Sequence, residues 1–157
     1  MKLKDTPSGS PEQFNVVIEI PKGSNYKYEY DETTGKMKLD FIFNNLVYPF
    51  NYGFIPNTKA EDGDTLDCGV ISDKIFPSGT VVTCRPIAVM KQLDRGKQDD
   101  KIMAVPVDEP ERELTDQEKR RFTDFYAEVA KQKLKVVTVT GYGDKSEAIA
   151  TITKAMA

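Results

Sequence analysis

Over the first hundred residues the apolar positions fall in short runs bounded by proline, glycine or asparagine, which is the punctuation of strands. Phe14-Asn15-Val16-Val17-Ile18-Glu19-Ile20 reads as a mostly apolar strand, stopped by Pro21 and Gly23. Tyr26 to Tyr30 and Lys36 to Phe43 flank Asp31-Glu32-Thr33-Thr34-Gly35, two strands joined by a short glycine-containing turn. Tyr48-Pro49-Phe50-Asn51-Tyr52-Gly53-Phe54-Ile55-Pro56 is aromatic but interrupted by two prolines and a glycine, so an ordered loop is expected there in preference to a central strand. Leu66 to Ser72 and Thr80 to Gln92 are strand-like and separated by Pro77-Ser78-Gly79. The second is long for one strand, and Pro86 predicts a bend or bulge within it. Lys101 to Val107 is a further strand.

The period then changes. Thr115-Asp116-Gln117-Glu118 has the capping-box pattern. After it Phe122, Phe125, Tyr126, Val129 and Ala130 recur at spacings of three and four, which predicts a helix from about Asp116 to Gln132. Leu134 to Thr140 alternates like a strand, and Asp144-Lys145-Ser146-Glu147 caps a last helix with Ile149, Ile152 and Met156 inward. Met1 to Gln13 reads as a loose arm. Many strands followed by helix, strand, helix predict an α+β domain whose strands close into a small barrel.

At 157 residues, 39% apolar and 30% charged, the chain suits one globular domain spanning 1–157. It lacks any run of about 18 apolar residues and opens on a polar segment, so no membrane helix and no secretory signal are expected, and a cytoplasmic location follows. A net charge of −3 argues against nucleic acid, whose affinity comes mainly from neutralising phosphates. The two cysteines, Cys68 and Cys84, lie in apolar runs and are expected to be buried thiols. The absence of histidine removes a histidine base, a Ser-His-Asp triad and any histidine-ligated zinc, leaving chemistry to carboxylates, lysines and tyrosines, with or without a hard metal.

The sharpest feature is Glu61-Asp62-Gly63-Asp64-Thr65-Leu66-Asp67, in which Asp62, Asp64 and Asp67 crowd around one glycine. Like charges this close repel unless a cation sits among them, and Mg²⁺ needs only one or two carboxylates per ion because it keeps several waters. An acidic surface loop fits the same residues; an EF-hand is excluded by register. Lys27 and Glu29, and likewise Asp99 and Lys101, are two apart and share a strand face, whether solvated or lining a site. Glu19 is a carboxylate inside an apolar strand, rare unless paired, metal-bound or on an exposed edge. Tyr48 and Tyr52 suit a core as well as a site.

In order and spacing these residues resemble the family I soluble inorganic pyrophosphatases. The motifs that carry the resemblance are Val17-Ile18-Glu19-Ile20-Pro21, Lys27-Tyr28-Glu29, Tyr48-Pro49-Phe50-Asn51-Tyr52-Gly53, Asp62-Gly63-Asp64-Thr65-Leu66-Asp67 and Cys84-Arg85-Pro86-Ile87. Asp94, Asp99 and Lys101, leading into Ala104-Val105-Pro106, complete the series, which runs from about Val16 to Tyr142. Thr65 stands where the family commonly has proline. The resemblance implies a five-stranded OB-like barrel with two helices, and hydrolysis of inorganic pyrophosphate to two phosphates by a metal-activated water. It implies that Glu19, Asp62, Asp67, Asp94 and Asp99 hold Mg²⁺. Asp64 would take the proton of the attacking water, Lys27, Tyr52 and Lys101 would contact phosphate, Glu29 and Tyr48 would shape the site, and Tyr126 would bind substrate. It also implies a homo-oligomer, commonly a hexamer in bacterial members.

Two phosphate-binding cations of the family pattern are missing. An arginine expected after the hairpin is matched by Phe41, and a Tyr-Lys pair in the helix is matched by Tyr126-Ala127. Lys36, Lys38 and Arg85 are the candidate substitutes. The segment from Asp108 to Leu114, where subunits of the family often meet, is short. The competing readings are a hydrolase of another phosphoanhydride, a poorly active Mg²⁺- and phosphate-binding regulatory module, and an OB-type nucleic-acid binder, the last opposed by the acidic balance.

Overall fold

One strand, β6 (Val81–Asp94), organises the structure, a computed structural model that describes residues 2–157. At 14 residues it is long enough to serve different partners along its length. Its start pairs with β1 (Phe14–Ile20), its middle with β8 (Lys101–Pro106), and its end with β9 (Val137–Gly143) and the short β7 (Lys97–Gln98). The register slips between Pro86 and Ala88, so the bulge predicted from Pro86 is present, within the β6–β8 ladder. The order β1-β4-β5-β8-β6, with β4 (Asn51–Ile55) and β5 (Leu66–Val70), returns to β1 through the β1–β6 ladder. This is the expected α+β fold: a small closed five-stranded OB-like barrel with two helices. Strands β2 (Tyr26–Asp31) and β3 (Lys36–Ile42) form the predicted hairpin as a separate two-stranded sheet.

The alternation of side chains through the barrel separates two clusters. On β8, Ile102 and Ala104 join a cluster with Cys68, Val70 and Cys84, covered by Ala148, Ile152 and Ala155 of helix α2 (Lys145–Met156). Met103 and Val105 join the other, aromatic cluster of Tyr48, Phe50 and Tyr52, covered by Phe122, Phe125, Tyr126 and Val129 of helix α1 (Asp116–Lys133). Burial on both faces is why β8 reads as a continuous apolar run. Both helices start with complete capping boxes, Thr115 with Glu118 and Asp144 with Glu147. Cys68 and Cys84 are buried and unbridged.

Three expectations change. The segment expected as a loop, Tyr48 to Pro56, contains β4, a fully buried strand between β1 and β5. Its prolines lie outside the ladder at positions 49 and 56, and Gly53 is required: a Cβ there would lie 1.8 Å from the Val17 carbonyl oxygen. Residues 2–13, expected as a loose arm, lie along the body. Asn15 Nδ2 donates to the Pro7 carbonyl and Asn57 Nδ2 to the Thr6 carbonyl, each at 2.8 Å, while Leu3 packs on Val17, Tyr30 and Phe54. The strand expected from Leu134 begins at Val137, because Leu134 takes a left-handed conformation that ends α1.

Gly53→Ala is expected to cost at least about 3 kcal/mol, since backbone rather than a movable side chain occupies the space. Asp144→Ala, which removes one cap, should cost about 1 kcal/mol. Urea midpoints of the two variants check both the size and the order of these effects.

Candidate active site

The open end of the barrel, the hairpin, the 58–65 loop and the second half of α1 enclose a cleft of about 880 Å³. Every site residue expected from the sequence lines it: Glu19, Lys27, Glu29, Tyr48, Tyr52, Asp62, Asp64, Asp67, Asp94, Asp99, Lys101 and Tyr126.

The centre is fixed by strand register. β5 and β8 pair in parallel, and Asp67 stands opposite Lys101. Lys101 has the parity of Met103 and Val105, so it faces the aromatic side, under α1. Its ammonium donates to Asp67 Oδ2 at 2.9 Å, to Tyr52 Oη at 2.9 Å and to Asp99 Oδ2 at 3.3 Å. It lies 5.3 Å from the ring centre of Tyr52 and 5.5 Å from that of Tyr126. Burial disfavours this charge, but Asp67 and Asp99 outweigh it and hold the ammonium protonated well above its ordinary range. Burial also pushes the Asp99 carboxyl up, against the opposing pull of Lys101. Tyr48 and Tyr52 are driven upward by burial and stay neutral hydroxyls.

Glu19 forms the floor. It is 8% exposed, and Oε2 accepts the Tyr30 N–H at 2.8 Å. Burial raises its pKa to about 8, and the nearby Asp67 charge adds to the rise. Among the described residues no cation forms an ion pair with it. The acidic loop forms the rim. Gly63 takes a φ of 90°, and Asp64 N–H donates to Asp62 Oδ1 at 3.0 Å, so the two aspartates share one turn. The base of the loop is anchored by Lys59 N–H on the Ala155 carbonyl and by a Glu61–Lys154 ion pair, both to α2.

The structure also brings in residues that the sequence reading missed. Lys133 and Lys135 line the cleft from the end of α1 and the link into β9. Lys135 Nζ lies 2.8 Å from Asp94 Oδ2, and Arg95 Nε 3.0 Å from Asp94 Oδ1. Burial acts to raise the Asp94 carboxyl, but these two cations prevail and hold it below its usual range. Asp40 accepts from Lys27 at 2.7 Å and from Lys133 at 3.4 Å, and Lys27 above all holds it low. Helix spacing was the available signal for Lys133, which lies seven residues beyond Tyr126 and so on the same stripe. The candidate substitute cations are elsewhere. Arg85 bonds the Glu109 carbonyl, Lys38 lines a separate hollow on the hairpin, and Lys36 is exposed where β3 begins.

The cleft is therefore not the overwhelmingly negative pocket that the acidic motif alone suggests. Eight carboxylates line it against seven lysines and arginines. The carboxylates are spread around the wall, and among the described residues no three come together to cage an ion. That arrangement fits a hard cation of the magnesium type, which takes one or two carboxylates and keeps its waters. Glu19, buried without an ion-pair partner beside Asp67, is the position where a divalent ion would relieve most electrostatic cost. The buried Tyr126 Oη and Gln92 Oε1, on residues that line the cleft, have no partner within hydrogen-bonding geometry.

The inorganic pyrophosphatase family model matches residues 16–157. Soluble inorganic pyrophosphatase 1 of Arabidopsis thaliana is 38% identical over 156 residues, 94% of this chain and 74% of the relative. The inorganic pyrophosphatase of Sulfolobus acidocaldarius is 38% identical over 150 residues, 88% and 87% of the two chains. The crystal structure of the Thermus thermophilus inorganic pyrophosphatase superposes with a TM-score of 0.92 at 34% identity, covering 99% of this chain and 97% of that one. With the barrel, the cleft and these likenesses in agreement, the chain belongs to the family I inorganic pyrophosphatases, hydrolases that act on pyrophosphate.

Proposed function

We propose that this cleft hydrolyses inorganic pyrophosphate to two phosphates with Mg²⁺ as its working cation. The observation that carries the reading is that Glu19, Asp62, Asp67, Asp94 and Asp99, drawn from separate segments of the chain, line one cleft in which Asp67 and Asp99 hold the buried ammonium of Lys101. These five carboxylates would hold the ions. When bound, divalent ions offset the charge of pyrophosphate and lower the pKa of a water at the phosphorus.

The side chains supply the rest. Water oxygen attacks one phosphorus, the bond from that phosphorus to the bridging oxygen breaks, and the water's proton goes to Asp64. Asp64 suits that part because it sits on the rim, exposed and outside any ion pair formed among the described residues. Lys101 and Lys27 place fixed positive charge where the leaving phosphate gathers negative charge. Lys101 is already held by Asp67, Asp99 and Tyr52, so little reorganisation is needed during reaction. Tyr52 and Tyr126 offer neutral hydroxyls to phosphate oxygens, and Tyr48 packs between Tyr52 and Phe125, fixing the ring beside Lys101. Glu29 borders the same wall and shapes it. We place the activity in a single domain that assembles as a homo-oligomer, a hexamer by family likeness, in the cytoplasm. Among the described residues no helix is long and apolar enough to cross a membrane.

Asp64→Asn is expected to lower kcat for pyrophosphate by about 10² to 10⁴ while leaving Tm unchanged. Asp67→Asn should abolish turnover and also lower Tm, since it withdraws one carboxylate from the buried Lys101. Steady-state phosphate release with Mg²⁺, alongside thermal melts, separates these outcomes; near-normal turnover in either variant removes the role given to that residue. ATP and short polyphosphate in the same assay test the rival substrates. All three substrates inert, with Mg²⁺ still raising Tm, would favour a binding module.

Glu19 gives a prediction with a definite sign. Its folded pKa lies above the unfolded value, so in metal-free protein the contribution of Glu19 to stability is full below about pH 4.5 and is lost as pH rises toward 8. Glu19→Gln should therefore be more stable than the parent at pH 8 in EDTA, and less stabilised by added Mg²⁺. Melts across pH with and without the ion read both effects.

A further inference from the structure

Two cation pairs of the cleft wall share a single carboxylate, Lys135 with Arg95 on Asp94 and Lys27 with Lys133 on Asp40, and only in the second are both side chains mostly withdrawn from water. Lys27 Nζ and Lys133 Nζ both donate to Asp40 Oδ2, at 2.7 and 3.4 Å. One carboxylate facing two ammonium groups leaves an excess positive charge. Both lysines are mostly withdrawn from water, with side chains 21% and 22% exposed. A partly desolvated, uncompensated cation is costly in a protein wall unless an anion joins it.

The placement of Lys133 is specified from several directions. Tyr126, Val129 and Lys133 are separated by three and four residues, and all line the cleft, so they form one stripe along α1. Next to it, the Gln132 side chain is a two-way tie to the hairpin base, accepting Asn44 N–H at 2.9 Å and donating to the Asn44 carbonyl at 2.9 Å. The Phe41 ring lies 5.5 Å beneath the Lys133 ammonium. The Gln132 tie joins the hairpin base to the helix independently of Lys133. On the same stripe Tyr126 carries a buried hydroxyl without a partner, a second donor at the same wall.

We propose that Lys133 and Lys27, positioned by Asp40, form a two-lysine seat for one phosphoryl group of the substrate. Lys133 contacts phosphate oxygen directly. Asp40 is a positioning residue: it holds the two ammonium groups side by side and cancels only one of their charges, so the seat attracts an anion while its lysines stay in place. This inference rests on the pyrophosphate reading above.

The experiment compares Lys133→Met, Lys133→Arg and Asp40→Asn with the parent protein in Mg²⁺. It measures kcat and KM for pyrophosphate, inhibition by inorganic phosphate, phosphate binding by calorimetry, and Tm. Met keeps the stem over Phe41 and removes the charge. The expectation for Lys133→Met is a KM for pyrophosphate and an inhibition constant for phosphate both raised about 10- to 100-fold, the size of one charge-assisted contact, with Tm within about two degrees of the parent. Lys133→Arg should stay within about threefold of the parent, and Asp40→Asn should raise KM without abolishing turnover. Parent-like KM and phosphate inhibition in Lys133→Met overturn the seat and leave the hydrolase reading standing. So does a loss that follows a fall in Tm and is not recovered by arginine. If the parent is inert toward pyrophosphate, the hydrolase reading falls, and calorimetry with inorganic phosphate decides the seat: weaker binding in Lys133→Met supports it, equal binding overturns it.

Discussion

The ammonium of Lys101 is almost completely withdrawn from water, 4% exposed, and can stay charged only because Asp67, Asp99 and the Tyr52 hydroxyl surround it. Of those partners only Asp99 is a near neighbour in sequence. Asp67 reaches it through the parallel β5–β8 register, Tyr52 through β4 packed beside β5, and Asp99 through the approach to β8. Sliding β8 by one residue would turn Lys101 into the cluster under α2 and Ile102 into the cleft. Barrel closure and site assembly are therefore one constraint. The same alternation that divides the apolar residues into two clusters decides which charged residue faces the substrate space.

How much of this was legible in the sequence follows from the range of each signal. Strand punctuation, the capping boxes and the bulge at Pro86 are local and were readable from a few adjacent residues. β4 was not, because its prolines suggested interruption, whereas they bracket the strand, and the need for Gly53 comes from the Val17 carbonyl on another strand. The acidic motif and the Lys27/Glu29 and Asp99/Lys101 pairs were found by spacing, and all line the cleft. Lys133, Lys135 and Asp40 escaped because their part is tertiary. Asp40 lies in an ordinary polar strand, and each lysine in an ordinary basic helix end, until the hairpin and α1 are set against each other.

That juxtaposition also corrects a purely acidic picture of the cleft. Carboxylates read along the chain look like an array of uncompensated charge, but the fold interleaves them with cations: Lys101 between Asp67 and Asp99, Lys135 and Arg95 on Asp94. Each pair holds the other in place. The protein can thus keep a dense set of oxygen ligands without the repulsion that the sequence spacing implies. It can also present ammonium groups to an anion without leaving them unpaired. Glu19 is the buried carboxylate that no cation pairs among the described residues, held only by a backbone donor, and its pKa is raised to about 8.

The end of α1 shows where the fold accepts strain to achieve this. Leu134 adopts φ 54° and ψ 47° and is 92% exposed. A left-handed leucine costs roughly 1–2 kcal/mol, and so exposed a side chain gains little from burial. The conformation does close the helix: Leu134 N–H donates to Lys131, and Lys135 N–H reaches back to the Ala130 carbonyl. It also reverses the chain between Lys133, which points to Asp40 on the hairpin, and Lys135, which points to Asp94 at the end of β6. A helix continued by one turn would carry residue 135 around to a different side of the axis from residue 133. An abrupt stop sends both lysines to opposite sides of the same cleft, so the strained cap is part of how the cation set is delivered.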